Sequence, residues 1–221
     1  MTNASLFSML MIGLFVAGTL SCFSTMRLQS LLRSYAFSSA ALGGLALGLA
    51  VEESAIHLIT VAGAVIVVKS FLVPSVISRM AERSHASKRL ASSLRPSASW
   101  FVGGAVFAVG IYLALRSPLF VGGLEPTQMT ALLPISVGVV FMGFAMMILR
   151  KDVLSQLLGF LVLENGIAAF SLSALGGIPV AIEFGVYSAV LIGAILMATL
   201  SGRVQQLFGT HDTSRLSELT D

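Results

Sequence analysis

The stretch LRKDVLSQLLGFLVLENGIAAFSLSAL, residues 149–175, decides the class of fold. A short charged turn, Arg150-Lys151-Asp152, is followed by an apolar run in which Glu164 is the only charged side chain. About twenty consecutive apolar residues match the thickness of a hydrocarbon core crossed as a helix. A carboxyl in the middle of such a run costs about 2.5–3.5 kcal/mol even on the lenient insertion scale, so it has to face protein or water rather than lipid.

The same pattern repeats outward from this segment. Seven apolar stretches can be drawn, at Ser5–Phe23, Ser34–Val51, Ala55–Val76, Ser99–Leu115, Met129–Leu149, Val153–Leu175 and Val180–Leu200. Of the 221 residues, 56% are hydrophobic and 10% charged, against about 25% charged in soluble domains. No water-soluble fold hides that much apolar surface, and the expected class is an all-α polytopic membrane protein. Met1 to Ser24 lacks the basic flank of a secretory signal and reads as a retained first span.

Loop charge then gives an orientation. Arg27 and Arg33 follow the first span; Arg79, Arg83, Lys88, Arg89 and Arg95 the third; Arg150 and Lys151 the fifth; Arg203 and Arg215 the seventh. The alternate loops carry Arg116 with Glu52, Glu53 and Glu125. The N-terminus is therefore expected outside and the C-terminus in the cytoplasm, with the protein in the cell (inner) membrane. A net charge of +3 is explained by these loops and does not call for nucleic acid. Three regions are expected: residues 1–128 with four helices, 129–204 with three, and a cytoplasmic tail over 205–221. Ser78 to Ala98 reads as a partner-facing connector.

Chemistry is sought in ionisable groups far from water. Glu164, beside Asn165, is too deep to reach an interface. Desolvation favours a neutral acid and a nearby cation favours the carboxylate, so a carboxyl poised between the two can relay protons. Its plainer role would be that of a neutral acid bonded to another helix. Lys69, in the third span, either extends its stem to the interface or serves as an intramembrane cation. His57 lies near the outer end of that span, as a packing residue or a shuttle, and Glu183 about one turn inside the seventh. Gly44, Gly48, Gly103, Gly104, Gly110, Gly159 and Gly166 are expected to let helices approach closely. Cys22 is the single cysteine, which excludes an internal disulfide and cysteine-rich metal frameworks. No zinc-protease, phosphate-loop or histidine-rich pattern appears, so no catalytic, metal or cofactor site is expected in this chain.

At this point two motifs carry a resemblance. The run Leu149-Arg150-Lys151-Asp152-Val153-Leu154-Ser155-Gln156-Leu157-Leu158-Gly159-Phe160-Leu161-Val162-Leu163-Glu164-Asn165-Gly166 resembles the corresponding span of hydrogenase-4 component E, a membrane subunit of formate-hydrogenlyase-type complexes. Lys69-Ser70-Phe71-Leu72-Val73-Pro74 matches that family's second motif. The resemblance implies that the last three spans look like the small K subunit of respiratory complex I, which carries intramembrane glutamates on a proton path. It further implies antiporter-like membrane partners and a peripheral hydrogenase-type arm holding nickel–iron and iron–sulfur centres. Two departures limit it: the K subunit's carboxylate aligns with Leu161, one turn before Glu164, and an acid expected in the last span is replaced by Ala189. Glu183 stands two turns away. Rival readings are a subunit of a cation/proton antiporter or complex I-like assembly, a self-sufficient small-solute permease, and an intramembrane enzyme, for which no nucleophile–base pair is found.

Overall fold

The computed structural model describes residues 3–53, 56–83, 90, 92, 95–117, 128–175, 193 and 195. These form α1 (Asn3–Ser24), α2 (Leu28–Glu53), α3 (Ile56–Ala64), a π-helical segment (Val65–Leu72), α4 (Val73–Arg83), α5 (Pro96–Arg116), α6 (Gln128–Leu149) and α7 (Val153–Leu175). The chain is all-helical over the described residues apart from isolated backbone bridges at its turns. Six helices among them are long and apolar enough to cross a membrane, namely Leu6–Ser24, Leu28–Val51, Ala62–Arg79, Ser97–Arg116, Ala131–Leu149 and Val153–Ser173. They correspond to the first six expected spans. The seventh, Val180–Leu200, lies outside the described residues, as do Glu183, Ala189 and the tail.

Lipid as solvent explains which side chains face outward. Phe101 (81% exposed), Ile148, Val51 and Phe71 project from the bundle, which water would penalise and hydrocarbon does not. The core is filled by Phe15, Tyr35, Leu45, Ile77, Met142, Leu158 and Leu161, drawn from the first three spans and from the fifth and sixth. α6 packs most extensively on α7, α1 on α2 and α5 on α6, while α2 reaches across to α7. Residues on either side of position 128 therefore share one core.

Close approach between α6 and α7 depends on glycine. A β-carbon at Gly143 would stand 2.5 Å from the backbone nitrogen of Leu163, and one at Gly166 would stand 2.8 Å from that of Val140. The expected packing role thus holds for Gly166, and likewise for Gly159, whose β-carbon would meet Met146 at 2.9 Å. At Gly104 a β-carbon would meet nothing within 4 Å, so that glycine does not serve packing within the described chain.

Two element ends differ from the expected ones. α2 begins at Leu28 rather than Ser34, so Arg33 belongs to the helix and not to a loop. The third span continues as helix to Arg83, which takes Ser78–Arg83 out of the connector. The rest of that connector is also tethered where it is described: the buried Leu90 donates its N–H to the Met26 carbonyl at 2.9 Å, and Ser92 bridges Arg150.

The Arg150 turn is the second fastening at this end of the bundle. Its buried guanidinium donates to the carbonyls of Phe23 (2.8 Å) and Thr25 (2.7 Å), and more loosely to that of Cys22 (3.4 Å). These carbonyls lie at or just past the C-terminus of α1, where the last four have no partner within the helix and the helix dipole favours a cation. Burial pulls the Arg150 guanidinium below its ordinary value, and the nearby Asp152 carboxylate works against that shift. Asp152 in turn caps α7: its Oδ1 accepts the Ser155 N–H at 2.9 Å, and its Oδ2 accepts the Ser155 hydroxyl at 2.6 Å.

Candidate functional site

Pro74 shapes the helix that carries Lys69. Proline has no N–H to give the Ser70 carbonyl, and its ring crowds that position. Immediately upstream the helix widens: the Val73 N–H bonds to the Val68 carbonyl, five residues back, and eight residues adopt the π form. π turns are rare and recur at functional sites. In an α-helix Lys69 lies under Val65, whereas a five-residue spacing brings Ser70 under it; the wide turn buries all three.

Lys69 is fully buried. Arg79, at the end of its membrane span, is ten residues away, roughly 15 Å by helical rise, farther than a lysine stem extends. The interface-seeking alternative therefore fails. The ammonium instead forms an ion pair with Glu164 Oε2 and donates to Asn165 Oδ1 at 3.1 Å. Asn165 Nδ2 donates to the Ser39 hydroxyl at 2.8 Å. The four residues come from three elements (α2, the π segment and α7), and all are buried, with Glu164 the least so at 7% exposed.

Two motifs separated by ninety-five positions thus converge on one buried cluster. Glu164 Oε2 accepts no hydrogen bond of regular geometry beside the ion pair. Chemically this is a carboxylate–ammonium couple held away from bulk water, with an amide and a hydroxyl continuing the polar line toward α2. Among the described residues no group of three or more His, Cys, Asp and Glu could hold a metal ion.

Of the other expected site residues, His57 falls in α3, at the end of the third span away from α4 and twelve residues before Lys69; its side chain lies outside what is described, and Glu183 lies wholly outside. Leu161 is fully buried one turn from Glu164. Sequence reasoning missed Ser39, which in Ser38-Ser39 looks like any small residue of a span. Asp152 was legible in principle, since an aspartate just before an apolar run is a helix-start signal.

Compared with known proteins, the chain is 31% identical over 194 residues to an uncharacterized protein, Rv0085, of Mycobacterium tuberculosis (strain ATCC 25618 / H37Rv). The alignment covers 88% of this chain and 87% of that one. No family model matches the chain, and no solved structure does.

Proposed function

The chain belongs to the family of the mycobacterial protein Rv0085, and for it we propose the role of an integral membrane subunit in a hydrogenase-4 or formate-hydrogenlyase-type respiratory complex, with the Lys69–Glu164 pair on a proton path. The observation that carries the reading is the buried ion pair itself. Removing two charges from water is expensive, and an apolar pair of similar volume is often as stable or more so. A charged couple set among six apolar helices is therefore better accounted for by a task than by packing.

The pairing of an acid with an ammonium away from bulk water supports a proton step. The proposed step is exchange of a proton at the Glu164 carboxyl, with Lys69 as its charge partner. The π turn beneath Lys69 is the place where a small change of helical register moves the ammonium relative to α7. Asn165 orients the lysine, and Ser39 orients Asn165. The resemblance in the two motifs supports the assembly part of the proposal: antiporter-like membrane partners, a peripheral arm carrying nickel–iron and iron–sulfur centres, seven spans, an external N-terminus and residence in the cell inner membrane.

The test is proton uptake into vesicles containing the whole complex during turnover, with subunit content checked in parallel. Glu164→Gln keeps shape and hydrogen bonding but cannot ionise. It is expected to assemble and to lose most proton translocation, while Glu164→Asp retains part of it. Parental pumping by an assembled Glu164→Gln complex would overturn the reading. Purification in mild detergent without any hydrogenase-type subunit would overturn the assembly part separately.

A further inference from the structure

At the end of the bundle that holds the Arg150 turn, α2 and α4 diverge to leave an open cleft of about 390 Å3. Arg33 enters it from α2, and Ser75, Arg79 and Glu82 enter from α4. The two helices touch and run in opposite directions, so each presents a graded stripe. On α2, exposed Arg33 is followed one turn deeper by exposed Phe37. Along α4 the exposed positions run Glu82, Arg79 and Ser75, followed deeper, at the end of the π segment, by Leu72. Both stripes pass from charge at the bundle end to large apolar side chains within the span.

We propose that this cleft binds the headgroup of an anionic phospholipid, with Arg33 and Arg79 on the phosphate and an acyl chain lying over Phe37 and Leu72. Guanidinium groups match phosphate oxygens in geometry as well as charge. Arg33 and Arg79 form no ion pair with a carboxylate among the described residues, which leaves both forks open to a ligand. Two cations against the single carboxylate of Glu82 leave the cleft net positive, and Ser75 supplies a hydroxyl beneath them. Basic pockets between membrane helices select anionic headgroups for these reasons. A free phosphate would satisfy the arginines but would leave the deeper apolar stripes unused. The inference requires only that the helices lie in a membrane and is independent of the proton reading.

The full chain, purified in mild detergent, is titrated with phosphatidylglycerol and with phosphatidylcholine of the same acyl chains, and bound lipid is counted by native mass spectrometry. The parent is expected to retain phosphatidylglycerol about tenfold in preference, the size of one charge-assisted contact. Arg33→Gln/Arg79→Gln should bring the two lipids to parity. Glu82→Gln should tighten phosphatidylglycerol, a gain that a folding defect could not mimic. Retention of the lipid in excess inorganic phosphate supports the lipid as occupant, whereas ready displacement identifies the site as one for free phosphate and overturns the proposal. Parity in the parent, or undiminished preference in the double arginine variant, overturns it as well.

Discussion

Lys69 and Glu164 stabilise each other only as a pair. Leaving one charge buried without the other typically costs about 3–5 kcal/mol, whereas replacing both by neutral groups of similar volume is often neutral or favourable. Lys69→Met removes the ammonium from Glu164 and from Asn165 Oδ1. It is expected to lower thermal stability in detergent, and Lys69→Met/Glu164→Gln should recover most of the loss. The measurement is a double-mutant cycle on melting temperature followed by circular dichroism; additive losses would show that the pair is not coupled. Proton translocation should remain absent in the double variant even where stability returns, which separates the two roles.

Helix–helix contact makes different demands. α6 and α7 approach at Gly143, Gly159 and Gly166, where the partner's backbone occupies the space of a β-carbon. Gly166→Leu must push Val140 and Ser136 away, an overpacking cost of about 1–3 kcal/mol or more. Gly104→Ala, with open space at that position, should be neutral or slightly stabilising. Comparison of the two by thermal melting checks the close α6–α7 contact. A further test lies at the helix end: Arg150→Gln strands the carbonyls of Phe23 and Thr25 and should cost roughly 2 kcal/mol, the scale of hydrogen bonds to a charged group. The loss should be accompanied by faster amide exchange in the last turn of α1, whereas Lys151→Gln, one residue on, is expected to leave that turn unchanged.

Across the whole molecule, most arginines at the described helix ends gather at one end, Arg116 at the far end of α5 being the exception. Arg27, Arg79, Arg83, Arg95 and Arg150 all stand at helix ends that meet there, with Leu90 and Ser92 threaded between them. The positive-inside rule makes a cytoplasmic position the expectation for that end. A reporter active only outside the membrane should work when fused after Gly122 and fail after Ser87 or at Asp221; the reverse pattern would invert the orientation, and activity at Asp221 with inactivity at Ser87 would remove the seventh span.

Read alone, the sequence determined the solvent and the architecture's repeat. Apolar runs near twenty residues, broken by short basic blocks, have no other stable home than helices in lipid, because an unsatisfied backbone there is prohibitively costly. It also singled out Glu164, since one carboxyl in an apolar run is conspicuous wherever the neighbours lie. The tertiary structure decided what periodicity cannot encode: which helix faces which. It settled Lys69 as the buried partner of Glu164 rather than a residue reaching for the interface, on a π-helical segment that ends just before Pro74. It drew Ser39 into the cluster from a span that looked featureless. Likewise Arg150, read as a loop charge, became the cap of a helix more than a hundred residues away. In each case the partner is distant in sequence, and only packing brings donor and acceptor within reach.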